Sequence, residues 1–270
     1  LVVVLHGCGQ TPAQYDHRAG WCALAEKHGF LVCYPQQREA NNSQSCFNWF
    51  APRRRERDQG EAASIRAMVA YLAQTYALDP ARIFITGFSA GGAMSAAMLA
   101  AYPDVFAAGA VIAGLAYGVA DSVPQAMDAM AQGDKRSGPQ AAAAVRMAAP
   151  FDHWPRLLVW HGLADDVVAP ANAGALVRQW RHVHGLRAPA NTDRWLTGGR
   201  RQRIWCDAQG RAIIEHDMIV GLSHRLAPQS TTAIAQFFGL IPSGVMGRVL
   251  EKLKALPDMR SLLGSRSPLP

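Results

Sequence analysis

The sequence predicts an α/β domain, a mostly parallel sheet flanked by helices with a small cap insertion. Three observations carry that expectation. Short apolar runs alternate with stretches of helical spacing along most of the chain, the pattern of parallel strands joined by helical crossovers. Leu1-Val2-Val3-Val4-Leu5 is apolar throughout, as suits a strand covered on both faces. Ile83-Phe84-Ile85-Thr86-Gly87-Phe88-Ser89-Ala90-Gly91-Gly92 passes from a buried strand to an alanine-rich helix through a tight turn, with Ser89 at its tip. At 270 residues the chain can bury the core of one such domain without staples.

In chain order, the first strand ends in the glycine-rich turn His6-Gly7-Cys8-Gly9-Gln10. The spacing predicts a helix from Asp16 to His28, with Trp21, Leu24 and Ala25 inward and Gly29 as its stop. Phe30 to Tyr34 reads as a strand ended by Pro35. The long loop from Gln36 to Pro52 holds Cys46-Phe47-Asn48-Trp49-Phe50. Loops of that length in compact domains often bind; Trp49 or Phe47 is read as cleft wall, with local packing as the alternative. Asp58 to Tyr76 has helical spacing, with Ala63, Ile65, Met68, Val69 and Leu72 inside. A turn at Leu78 to Arg82 leads into the Ser89 strand, whose helix runs to about Tyr102. Phe106 to Gly114 is the next buried strand.

Leu115 to Pro150 breaks the alternation and reads as a small cap over one edge of the sheet, interrupted at Gly133, Gly138 and Pro139. Met127, Met130 and Met147 either line an apolar cleft or pack on the core. Arg156 to Trp160 is a strand, Asn172 to His184 a helix, and residues 191–211 a hairpin with Asp207-Ala208-Gln209-Gly210 as a turn. Ala212 to Val220 is the last strand and Ser230 to Phe238 the helix that packs back. Residues 1–240 thus form one α/β domain, and 241–270 a basic extension of peripheral helix and disordered end.

The net charge of +7 comes mostly from arginine, densest at Arg53-Arg54-Arg55-Glu56-Arg57 and from Arg194 to Arg211. These runs fall in predicted loops without zinc-finger spacing or a recognition helix, so they read as solvated surface, with adhesion to an anionic polymer or cell surface as the alternative, and not as a nucleic-acid site. No apolar run reaches the length of a membrane span. The opening residues lack the charged start and cleavage site of a signal peptide and look like a core strand. Numbering is therefore expected to begin inside the fold, with one or two leading strands and any signal peptide lying before it. The five cysteines form no C-x-x-C pair and no ladder with histidine, so no metal site is expected. They permit up to two disulfides, and neither pairing nor compartment follows from the count.

Gly87-Phe88-Ser89-Ala90-Gly91 fits the G-x-S-x-G nucleophile elbow, in which small residues two before and two after the serine let strand and helix backbones approach. In parallel sheets, sites gather at the carboxyl ends of strands. Ser89 follows one such strand, Asp165 lies just past another, and His224 comes after the last. Ser, acid, His is the chain order of α/β-hydrolases. A serine hydroxyl is a poor nucleophile at neutral pH, so His224 is assigned as its base and Asp165 as the group orienting the imidazole. The backbone N–H groups of Cys8 and Ala90 are assigned as the oxyanion hole. Asp166 is the alternative acid, disfavoured because Asp165 holds the fifth position of His161-Gly162-Leu163-Ala164-Asp165. Of nine histidines, only His224 has the strand-then-loop setting; His6 and His161 end strands before glycine turns and read as structural.

Leu5-His6-Gly7-Cys8-Gly9-Gln10, Cys46-Phe47-Asn48-Trp49-Phe50, Gly87 to Gly92, Gly114-Leu115-Ala116-Tyr117-Gly118 and His161 to Asp165 occur in that order. Together they resemble the polyhydroxybutyrate depolymerase family of esterases, which includes feruloyl and acetylxylan esterases, over about residues 1–240. The resemblance implies a serine esterase, usually secreted, that works on a polyester or small ester without metal or cofactor. It implies that Cys8 and Trp49 sit at the cleft, with Asn48 and Tyr117 of the matched motifs joining Trp49 in substrate binding, and it implies a Cys8–Cys46 bridge. The histidine segment departs from the family's usual Gly-Met-x-His, reading Gly221-Leu222-Ser223-His224-Arg225. A non-catalytic binding protein of the same fold is the competing class; such proteins usually lose a triad member, and here none is missing.

Overall fold

The computed structural model describes residues 1–224 and 230–242. Its centre is an eight-stranded sheet of order β2-β1-β3-β4-β5-β8-β7-β6. The strands are β1 Val2–Leu5, β2 Val32–Cys33, β3 Phe84–Phe88, β4 Ala108–Ile112, β5 Arg156–Gly162, β6 Thr192–Leu196, β7 Arg200–Cys206 and β8 Ala212–Ile219. From β2 to β8 every neighbouring pair is parallel; β7 and β6 close one edge as an antiparallel hairpin. The mostly parallel sheet flanked by helices is therefore the predicted architecture.

Successive side chains of a strand point to opposite faces, and both faces here are covered. Val2, Val4, Phe84, Phe88 and Trp160 pack with Tyr15 of α1 (Pro12–Ala19), Trp21 of α2 (Trp21–His28) and Phe237 of α9 (Thr231–Phe238). Val3, Leu5, Ile85, Val111 and Val159 face α4 (Gly60–Thr75), α5 (Ala90–Ala101), α7 (Gly138–Ala148) and α8 (Ala171–Val183). All twelve residues of α5 are buried, because helices surround it on the side away from the sheet. Its many alanines and glycines allow close packing, and where Leu99 is large, Gly109 of β4 leaves the space it fills.

Several boundaries differ from expectation, each for a local reason. The helix expected from Asp16 to His28 is two, because Gly20 adopts a left-handed conformation (φ 75°) that ends α1 and starts α2. A capping box of Thr11 and Gln14 starts α1 four residues early. β2 is only two residues long and β4 is shorter than the 106–114 run. A short α3 (Pro52–Arg55) precedes α4, which turns Glu61 and Ala62 inward and leaves Met68 exposed. The hairpin turn is Thr197–Gly199, with Gly198 and Gly199 at positive φ; Asp207 to Gly210 turns β7 into β8 instead. Segment 115–150 contains α6 (Val123–Gln132) and α7, capped by Ser122 and Ser137; α6 rests on α8, and α7 on α5 and α8. Met127 and Met147 are exposed, while Met130 packs against the core. The extension beyond Pro242 lies outside the described residues.

Candidate functional site

The register sets the carboxyl ends of the central strands side by side, Leu5 beside Gly87, Phe88 beside Ile112, and Gly162 beside Ile219. Ser89 stands at this edge with φ 56° and ψ −119°, a backbone state that costs a non-glycine residue about 1–3 kcal/mol. The turn is held by Ser89 N–H donating to Ile112 O (2.9 Å) and Ser89 O accepting from Ala93 N–H (2.9 Å). Glycines make it passable. A Cβ on Gly87 would lie 2.3 Å from Gly91 O, and one on Gly91 would lie 2.4 Å from Leu5 O and 2.5 Å from His6 O. The start of α5 therefore touches the end of β1, which places the Ala90 N–H beside the His6–Gln10 turn.

Two loops bring the other groups to Ser89. The loop after β5 donates Leu163 N–H to Ile219 O (2.8 Å) and Ala164 N–H to Leu222 O (3.2 Å), joining it to the loop that carries His224. His224 Nδ1 donates to Asp165 Oδ2 at 2.8 Å, and Ser89 Oγ lies 3.1 Å from His224 Nε2, the hydroxyl donating. Phe88 lies against the imidazole at a centroid distance of 4.7 Å. Asp165 Oδ1 accepts the N–H groups of Val167 (3.0 Å) and Val168 (2.8 Å). Burial alone would raise the Asp165 pKa, but hydrogen bonds from His161, His224 and the Val168 N–H outweigh it. The carboxyl is held well below the usual carboxylate range. Asp166 is exposed and joins none of this. Arg225 lies outside the described residues.

The turn after β1 is rigidly built. Gly7 N–H donates to Gln10 Oε1 (2.8 Å), and Gly9 N–H to Gln44 O (2.9 Å). Among the described residues no group accepts the Cys8 N–H. The Ala90 N–H, first in α5, has no intrahelical acceptor either. Two orphan donors thus stand near the Ser89 turn. Cys8 is disulfide-bonded to Cys46, which ties the turn to the aromatic loop. His6 reinforces the tie, with Nδ1 donating to Gly7 O and Nε2 accepting Gln37 N–H (3.1 Å). Burial pushes its pKa down, consistent with a neutral structural ring.

The three expected substrate-binding residues differ in what they have free. Asn48 is buried and committed: its N–H and its amide both donate to Glu61, and its Oδ1 accepts from Asn42. It anchors the loop on α4. Trp49 packs edge-on against Phe50 and against the core. Tyr117 carries the Arg55 guanidinium 5.5 Å above its ring, while Arg55 also donates to Phe50 O and Ala120 O and pairs with Asp121. Arg55 therefore links the aromatic loop to the Tyr117 segment. Sequence reasoning missed Glu61, Arg55 and the contact of His161 with Asp165. Only the last had a signal, in the four-residue spacing of the two. No group of three or more His, Cys, Asp or Glu among the described residues is arranged to hold a metal ion, and none of the described helices is long and apolar enough to cross a membrane.

A serine on a strained elbow, with a histidine and an aspartate converging from later strand ends of one parallel sheet, defines the α/β-hydrolase class. Comparison with known proteins narrows the class. The chain belongs to the polyhydroxybutyrate depolymerase family of esterases, whose model ("Esterase PHB depolymerase") matches residues 1–204. It is 41% identical to poly(3-hydroxyalkanoate) depolymerase C of Paucimonas lemoignei over 83% of this chain and 54% of that protein. It is 28% identical to feruloyl esterase B of Talaromyces funiculosus over 89% of this chain and 69% of that one. The solved acetyl xylan esterase of Aspergillus awamori superposes with a TM-score of 0.78 at 25% identity, covering 89% and 88% of the two chains. The chain thus spans about half the length of its depolymerase relative.

Proposed function

We propose that this chain is a serine carboxylic ester hydrolase that cleaves short-chain polyhydroxyalkanoate polyester or its oligomers through an acyl-serine intermediate. The observation that carries the reading is the unbroken hydrogen-bonded series Ser89 Oγ, His224, Asp165. His224 Nε2 takes the Ser89 proton as Oγ attacks the ester carbonyl, then returns it to the leaving alcohol. Asp165, anionic across the working range, holds the imidazole with Nδ1–H toward itself and stabilises the imidazolium that forms. The Cys8 and Ala90 N–H groups meet the oxyanion; losing one such donor typically lowers the rate about a hundredfold or more. Water then repeats the cycle on the acyl-serine. Trp49 and Tyr117 wall the cleft in this reading, with Asn48 positioning the loop.

A polyester substrate is favoured by the 41% identity to the Paucimonas depolymerase. Feruloyl or acetyl xylan esters are the second reading, favoured by the likeness to the Talaromyces feruloyl esterase and by the superposition on the Aspergillus acetyl xylan esterase. Export is proposed on the Cys8–Cys46 bridge, since disulfides persist in oxidising compartments. Purified protein should release p-nitrophenol from its butyrate ester, and Ser89→Ala should lower kcat by about a millionfold, as nucleophile removal does elsewhere. Clearing of a polyhydroxybutyrate suspension, set against ferulate release from methyl ferulate, then separates the two substrate classes. Undiminished activity in Ser89→Ala overturns the reading.

A further inference from the structure

His161 is the penultimate residue of β5, and the chemistry above gives it no part. Its ring is fully buried, and one nitrogen makes both of its polar approaches. Nε2 lies 2.9 Å from Val168 O and 3.3 Å from Asp165 Oδ2. Nδ1 is buried with no partner among the described residues. A ring nitrogen facing a carbonyl oxygen must carry the hydrogen, so Nε2 donates and Nδ1 keeps a bare lone pair.

Val168 is gripped from both sides. Its N–H donates to Asp165 Oδ1, and its carbonyl accepts from His161. His161, Val168 and Asp165 therefore close a small ring of hydrogen bonds that joins the acid loop to the last turn of β5. The same Asp165 oxygen that receives His224 Nδ1 is the one His161 approaches. A donor with no permanent charge suits that place. An arginine or lysine there would hold the carboxylate as well but would oppose the positive charge arriving on His224. His216, whose β8 strand runs beside β5, is itself kept neutral, by burial first and the Arg203 charge next.

We propose that His161 is a positioning residue, which fixes the Asp165 carboxylate in the rotamer that meets His224 Nδ1 and takes no part in bond making. The proposal rests on the reading of Ser89, His224 and Asp165 as a catalytic triad. It assigns the first histidine of His161-Gly162-Leu163-Ala164-Asp165 a task specific to the acid, beyond filling the core.

Two variants test it. His161→Phe keeps a ring and removes the donor; His161→Gln offers an amide N–H in place of Nε2–H. The expected result for Phe is a fall in kcat of about ten- to a hundredfold with KM unchanged, as for loss of a hydrogen bond to a charged group, and for Gln a recovery of most of it. The downfield proton resonance of His224 Nδ1–H should shift or broaden in the Phe variant and return in the Gln variant. Unchanged kcat in folded His161→Phe overturns the proposal, as does a loss with that resonance unmoved. Should the Phe variant not fold, nitrogen-15 spectra of the wild-type histidines still decide: a His161 carrying its hydrogen on Nδ1 overturns the proposal. Ser89→Ala is assayed beside these. If it stays active, the triad reading itself has failed; if it is inactive while His161→Phe is unaffected, only the role of His161 has.

Discussion

Replacing Gly91 by alanine adds one methyl at the point where α5 meets β1. The new Cβ would lie 2.4 Å from Leu5 O, 2.5 Å from His6 O and 2.7 Å from Leu5 C, all backbone atoms of a fully buried strand end. Real Cβ contacts do not go below 3.0 Å, so opening 2.4 Å to that limit moves the helix start by at least 0.6 Å. The displacement falls on the Ala90 N–H and on Ser89, whose backbone is pinned to Ile112 and cannot follow freely. Overpacking of this kind costs about 1–3 kcal/mol of stability. A misplacement near 1 Å at a reacting centre costs about a hundredfold in rate. Urea unfolding and p-nitrophenyl butyrate hydrolysis should therefore both register Gly91→Ala, with kcat falling further than the folded fraction. Gly174→Ala is the control. That glycine sits within α8 with nothing within 4 Å of its absent Cβ, and the exchange should stabilise by about 0.5–1 kcal/mol with activity unchanged. A Gly91→Ala enzyme within twofold of wild type in kcat and equal in stability would refute the reasoning that the elbow holds its donors by contact.

Other outcomes follow from the same geometry. Burial, above the other causes, pushes His216 down to about 3 and His184 to about 4, against an ordinary value of 6.5. The unfolded chain therefore binds protons that the folded one refuses, and stability should fall as pH drops below 6.5, continuing to about 4 and 3. At pH 5 each histidine should remove about 2 kcal/mol, measured by urea unfolding, and His216→Gln should flatten the curve. Replacing both Cys8 and Cys46 by alanine opens a loop of sequence separation 38 and should cost up to about 4 kcal/mol, read as a lower melting temperature. Glu61→Ala strands the Asn48 N–H and amide; it should cost about 1–3 kcal/mol and raise KM more than it lowers kcat.

The parts legible in the sequence were those that one residue type dictates locally. Apolar runs marked β1, β3 and β5 because both sheet faces are covered. The glycines at 87 and 91 announced a close backbone approach, and the structure shows which carbonyls approach. The spacing of Ser89, Asp165 and His224 from strand ends located groups that then meet within hydrogen-bonding distance. Features decided between distant segments were not legible. Spacing did not mark the break at Gly20, where Asp16 accepts the Gly20 and Cys22 N–H groups while Tyr15 and Trp21 pack on the sheet. Met68 fits the inner stripe of α4 by spacing, yet that helix turns Glu61 in toward Asn48 and leaves Met68 exposed. Asn48 looked available for substrate because its anchor lies on another helix. The contact of His161 with Asp165 needs the acid loop to fold back on β5, through Val168, and no periodicity encodes that.

The central claim is that Ser89 carries the acyl group. Titration with a p-nitrophenyl phosphonate ester tests this directly, because the phosphorus adduct forms only on an activated nucleophile and does not turn over. The account predicts that one equivalent abolishes ester hydrolysis, that peptide mapping finds the adduct on Ser89, and that Ser89→Ala takes up none. Full hydrolysis by protein modified completely at Ser89, or an inactivating adduct on another residue, would contradict it.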